Sequence, residues 1–187
     1  MADEQTPEPE IIDPPPKGKP WLGLVGASAI AIACIFTSSN EGTRYKAYPD
    51  PATHGAPWTI CEGHTKGVHQ GDTATPAQCA AYLKQDMAIA AQAVSRCIQV
   101  PINVNMAAAL YDTVFNDGPK VVCGSTVQAR ANGNDLIGMC YGLQAWKFAN
   151  GVVYQPLIKR RANAVQLCLW PTTNPNLVYP AHWKPIP

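Results

Sequence analysis

The chain has no pair of cysteines two residues apart, no basic stripe interleaved with aromatics, no internal repeat, and no predominantly apolar run of about 20 residues. The first absence argues against a zinc site. The second removes the usual footprint of a nucleic-acid binder. The last limits any membrane-spanning segment to a weak one. Charge is also sparse, at 14% of residues, and the formal net charge is +1. That near-neutrality conceals a division. From Glu41 onward 12 lysines and arginines face 8 acids, an excess of four, because the acids near the start cancel it. The modest positive excess suits an anionic polymer such as a bacterial cell wall without selecting one.

Composition changes near position 40. Residues 1–20 carry six prolines, five acids and two lysines, and nothing in them can build a core. They are expected to be a disordered cytoplasmic tail. Residues 21–36, WLGLVGASAIAIACIF, carry no charge and are diluted by glycine, alanine and serine. With Lys17 and Lys19 before it, this segment is expected to be a weak transmembrane signal-anchor over 21–37, lysines inside and the remainder facing a periplasm. A cleaved signal peptide is the rival, opposed by a long acidic start and by a cut that would fall beside Glu41. Residues 171–187, with five prolines, are expected to form an irregular tail.

What the chain has in abundance is cysteine: Cys34 in the apolar segment, then Cys61, Cys79, Cys97, Cys123, Cys140 and Cys168. An even six after an export segment points to as many as three disulfides formed in an oxidising compartment. Cys97 with Cys123 and Cys140 with Cys168 are plausible pairs across helix ends, which leaves Cys61 with Cys79, though sequence alone keeps the connectivity open.

The expected class is α+β, mostly helical, with a small β lobe near the front. A short helix is expected after Asn40. Tyr45 to Val68, dense in glycine, proline, threonine and aromatics, predicts hairpins and loops. Thr75-Pro76 predicts a helix start running to about Cys97. Further helices are expected over 101–116, 124–131, 134–148 and 156–169, with breaks at Asn132-Gly133 and Asn150-Gly151.

The densest chemistry lies in EGTRYKAYPDPATHGAPWTICEGHT at 41–65. Glycosidic bond cleavage needs a protonated acid at the leaving oxygen and a second carboxylate for the oxocarbenium-like centre or the attacking water. Glu41 and Asp50 supply a carboxylate pair, Thr59 a hydroxyl able to position water, and His64 a brace for the lobe. Such a pair alone is common; the whole string is not. EGxRxxAYxDP followed by WTIC-x-GHT resembles the phage-type lysozyme (muramidase) family, in which a Glu-Asp-Thr triad occupies these places. Phe115-Asn116-Asp117-Gly118, Ser125-Thr126, Asn132-Gly133, Trp146, Leu157, Arg160-Arg161 and Leu169-Trp170 follow in the family's order.

The resemblance spans about residues 38–170 and implies a lysozyme-like catalytic domain with an active-site cleft between lobes, acting by inversion. Together with the apolar segment it resembles the signal-anchor-release endolysins of bacteriophages. It implies hydrolysis of the β-1,4 bond between N-acetylmuramic acid and N-acetylglucosamine, with Glu41 as general acid and Asp50 and Thr59 assisting the water. It implies no cofactor, no metal and no nucleic acid; its partners would be peptidoglycan and, through residues 21–37, the host inner membrane. The protein is expected to be a monomer, anchored with its catalytic domain in the periplasm and later released. One departure stands out. Eight residues separate Asp50 from Thr59, more than the family usually has, and Thr53 is the rival for the threonine place. The alternatives are a lytic transglycosylase on the same bond, a thiol hydrolase built on Cys61 and His64, and a non-catalytic wall-binding protein. Some relatives use an anchor cysteine to reshuffle a blocking disulfide; here Asp50 fills the place such a cysteine would block. Cys34 otherwise reads as a small apolar residue in a helix.

Overall fold

The computed structural model describes residues 21–40, 42–49, 55–149 and 151–170. The two expected tails, over 1–20 and 171–187, lie outside them, as do Glu41, Asp50 and Thr53. Six helices and two small sheets are described: α1 (Trp21–Asn40), β1 (Arg44–Pro49), β2 (Trp58–Cys61), α2 (Pro76–Cys97), α3 (Val104–Asp117), α4 (Thr126–Asn132), α5 (Leu136–Gly142), β3 (Phe148–Ala149), β4 (Val152–Val153) and α6 (Gln155–Leu169). Two 3₁₀ turns, Pro119–Val121 and Leu143–Ala145, link them. The expected class holds: mostly helical, with a small antiparallel sheet near the front.

Helix starts follow local chemistry. Thr75 caps α2 through a reciprocal box with Gln78: its hydroxyl accepts the Gln78 N–H, and its own N–H donates to Gln78 Oε1 at 2.8 Å. Asn103 caps α3, accepting from the N–H groups of Asn105 and Met106. Gly118 ends α3 at φ +81°, a conformation that costs a side chain dearly.

α3 is the axle. Eight consecutive residues, Ala107 to Val114, are buried, so the helix has no solvent face along that stretch, and α1, α2 and α6 pack around it. Its alanines let the neighbouring backbones approach closely. Against this axle α1 lays one stripe, with Ala29, Ala33, Phe36 and Thr37 buried and Ile35 exposed. Residues spaced by three and four fall on one face of a helix, so the weakly apolar segment is a core element in this arrangement. No described helix is long and apolar enough to cross a membrane.

The β lobe is the antiparallel pair β1–β2, in register at Tyr48↔Thr59 and Pro49↔Trp58, with an irregularity between Arg44 and Tyr48. It is stapled to α2 by Cys61–Cys79. Cys97–Cys123 joins the end of α2 to the segment after α3, and Cys140–Cys168 joins α5 to α6. Their sequence separations of 18, 26 and 28 residues imply about 3 kcal/mol each from loop closure. Cys34, on α1, is the remaining free thiol among the described residues.

Two expectations need correction. No short helix follows Asn40: the helix precedes it, and Ser39 Oγ and Asn40 Nδ2 both donate back to the Phe36 carbonyl at 2.7 Å, closing α1 just before Glu41. The helix expected over 134–148 stops at Gly142, passes through a 3₁₀ turn, and gives way to the β3–β4 hairpin.

Candidate active site

Thr59 sits on β2, opposite Tyr48 of β1, and is buried at 6% exposure. β2 is held by a tight return in which Ile60 and His64 exchange backbone hydrogen bonds at 2.9 Å. His64 is buried, its Nδ1 lies 2.8 Å from Asp86 Oδ2 on α2, and its ring stacks on Tyr82 at 4.3 Å. It braces the lobe against α2, as its sequence position implied. Glu41 and Asp50 flank β1 in the sequence and lie outside the described residues, so the site is described through their neighbours.

Those neighbours are anchored on both sides of Glu41. Four residues before it, Thr37 Oγ1 donates to Asp112 Oδ1 at 2.7 Å in the buried core. Two residues after it, Thr43 Oγ1 donates to Glu62 Oε1 at 2.9 Å. The second Glu62 oxygen is buried without a partner. At the end of α1, Asn40 Oδ1 accepts from Asn163 of α6 at 3.1 Å.

Under these contacts lies a buried charge network. Arg160 donates to Asp112 Oδ1 at 2.8 Å, with both side chains nearly excluded from solvent. Arg161, 1% exposed, donates through Nε to the Trp146 carbonyl at 2.9 Å and through one terminal nitrogen, Nη2, to Asn116 Oδ1 and, at 2.6 Å, to Asp117 Oδ2. The Asn116-Asp117-Gly118 string that ends α3 is therefore an arginine receptor. Burial pushes Asp112 up to about 6, against the pull of the Thr37 hydroxyl and Arg161. Burial lowers Arg160 to about 10, with Arg161 adding to the effect. Burial also raises Asp117 and lowers Arg161, each opposed by the other's charge.

The Asp112 shift has a pH signature. Its folded pKa stands above the ordinary 3.8, so folding favours the protonated carboxyl. That contribution is fully present below the unfolded pKa and is lost as pH rises through about 6. Urea midpoints measured from pH 4 to 7 should show the Asp112→Asn variant gaining on the wild type by on the order of 1–3 kcal/mol across this window. Parallel curves would show that the carboxyl does not titrate there.

Among the described residues one cluster has metal-ligand proximity, Cys61, Glu62 and Cys79, but its sulfurs are joined to each other and offer no thiolate. The same disulfide removes Cys61 as a nucleophile for a thiol hydrolase.

Of the sequence candidates, Thr59 and His64 are thus placed in one lobe. Asp112, Glu62, Thr37 and Asp86 were not singled out from the sequence. The adjacent Arg160-Arg161 on α6, falling on the same helical stripe as the buried Ala164, Val165 and Cys168, was the available signal for an internal charge partner on α3.

A helical domain wrapped on a central buried helix, with a two-stranded lobe carrying the threonine of a Glu-Asp-Thr string, has the architecture of a lysozyme-type glycosidase. The sequence matches the phage lysozyme family over residues 38–164, and the chain belongs to that family. It is similar to the SAR-endolysin of Enterobacteria phage P21, 35% identical over 164 residues, 84% of this chain and 98% of the relative. Among solved structures it is similar to the muramidase domain of SpmX from Asticaccaulis excentricus, 30% identical with a TM-score of 0.68. It is also similar to the lysozyme of phage P22, 30% identical with a TM-score of 0.65. Each alignment covers 74% of this chain and 95% of the other. The protein is an enzyme, a muramidase of this family.

Proposed function

We propose that the chain is a bacteriophage endolysin that hydrolyses the β-1,4 bond between N-acetylmuramic acid and N-acetylglucosamine in peptidoglycan. Glu41 is the general acid, and Asp50 and Thr59 hold and assist the attacking water. The protein begins anchored in the host inner membrane through residues 21–37, with its catalytic domain in the periplasm, and becomes active on release. The similarity to the phage P21 SAR-endolysin, which spans nearly all of that relative, supports this reading.

The observation that carries it is the double tether around Glu41. In the docked state Thr37 is fixed to Asp112, and Thr43 to Glu62. The residues on either side of the acid are thereby fixed, Thr37 to the helical core and Thr43 to Glu62 next to β2. With α1 in a bilayer, Thr37 cannot reach Asp112, and the support on one side of Glu41 is lost. A proton donor held within a fraction of an ångström of its target contributes far more than one on a loose segment.

Product chemistry tests the reaction. Digestion of purified sacculi is expected to release fragments with new reducing ends. Fragments ending in 1,6-anhydro sugars would overturn the hydrolase in favour of a lytic transglycosylase. Release is tested by fractionation, with the protein expected in the membrane pellet before depolarisation and in the soluble fraction after it.

A further inference from the structure

We propose that the β3–β4 hairpin is a contact for an anionic lipid surface, apart from the anchor and independent of the carboxylate assignments.

The hairpin is a ribbon of two strands with no third strand beside it. Phe148 pairs with Val153 and Ala149 with Val152, and the ladder continues with the Tyr154 N–H donating to the Lys147 carbonyl at 2.9 Å. Successive pairs on such a ribbon point to opposite faces, so Phe148 and Val153 share one face and Val152 lies on the other. Both faces are in solvent: Phe148 is 55% exposed, Val152 69% and Tyr154 51%, with Val153 exposed as well. An isolated two-stranded ribbon is marginally stable in water. One that spends its exposed positions on phenylalanine, valine and tyrosine gains nothing from solvent.

Charge identifies the occupant. From Leu136 to Pro187 the sequence contains no aspartate or glutamate, and Lys147 and Lys159 stand at the two ends of the segment that carries the ribbon. Neither pairs with a carboxylate among the described residues. The neighbouring Arg160 and Arg161 are turned inward onto Asp112 and Asp117. An apolar wedge with a cationic base matches the boundary between acyl chains and anionic headgroups.

The test is sedimentation of the full chain with vesicles of phosphatidylglycerol and phosphatidylethanolamine, against vesicles of phosphatidylcholine alone. Because α1 can itself enter a bilayer, the comparison is between proteins that share it. Val152→Asp is expected to lower binding to the anionic vesicles at least tenfold while leaving the unfolding midpoint and the rate on soluble wall fragments unchanged. The double variant Lys147→Gln, Lys159→Gln is expected to bind more weakly and to lose most of the salt dependence. Equal binding by wild type and both variants would overturn the proposal. So would a loss confined to isolated sacculi, which would make the ribbon a wall contact. A wild-type dimer that Val152→Asp splits, with vesicle binding unchanged, would assign the ribbon to a second copy of the chain. Loss of reducing-end release by Glu41→Gln bears only on the reaction, so the two proposals fail separately.

Discussion

Replacing Glu41 with glutamine is expected to lower the clearing rate of outer-membrane-permeabilised bacteria by about 10²–10⁴-fold, the range that a positioned general acid contributes. Glutamine keeps the size and the hydrogen-bonding oxygen of the side chain and removes only the transferable proton. The anchors on either side, Thr37 on Asp112 and Thr43 on Glu62, do not involve the changed carboxyl and should survive. The unfolding midpoint should therefore match the wild type, separating a chemical loss from a folding one. Clearing at the wild-type rate would place the acid elsewhere in the chain. A transglycosylase would also need the acid, so this variant is read together with the sugar ends of the products.

The largest stability effect is expected at Arg161. Its guanidinium is 1% exposed and serves three acceptors at once: the Trp146 carbonyl, the Asn116 amide oxygen and the Asp117 carboxylate. Arg161→Ala leaves a cavity and strands these groups, including one charge. Removing one partner from a buried ionic network typically costs about 3–5 kcal/mol, a large fraction of the roughly 5–15 kcal/mol by which domains are stable. Lysine cannot reproduce the planar fork, so Arg161→Lys should recover less than half of the loss. Arg130 provides the contrast. Its contact with Asp135 is 3.5 Å long and half-exposed, so Arg130→Ala should change stability by less than about 0.5 kcal/mol. Urea unfolding of the three variants would rank them. A loss under about 1 kcal/mol at Arg161→Ala would show that water or neighbouring side chains satisfy the stranded groups.

The sequence was legible wherever the determinant was local. Thr75-Pro76 carried the start of α2 because a cap and a fixed φ act over four residues. The helix ends also suggested cysteine pairs, but the connectivity, a matter of contacts between segments, stayed open until the structure joined Cys61–Cys79, Cys97–Cys123 and Cys140–Cys168. The β lobe followed from a turn-rich string, and Thr59 was singled out within it by the resemblance of its Thr-Ile-x-x-Gly-His surroundings to the family. What could not be read depended on contacts between distant segments. Asp112 sits among alanines, a leucine and valines on α3, a pattern that suggests a solvent-facing position on an ordinary amphipathic helix. It is buried because α3 is surrounded, and its partners Thr37 and Arg160 lie 75 and 48 positions away. The β3–β4 hairpin went unpredicted, with Phe148 taken as a helix end, for a different reason. Strands of two residues are too short to show alternation, and only Asn150-Gly151 marked the turn.

The placement of the three disulfides sets an order in which parts of the molecule can come away. Between Cys61 and Cys168, α2, α5 and α6 each carry a disulfide and α3 lies inside the loop closed by Cys97–Cys123, whereas α1 is held by non-covalent contacts alone. The molecule is thus a riveted body with one detachable part. Amide exchange should show the backbone of α1 opening well before α2, α3 or α6, and oxidation should widen that gap by strengthening only the riveted portion. The proposed release asks one helix to change surroundings without unfolding the enzyme, and α1 is the long described helix that lies outside every disulfide-closed loop.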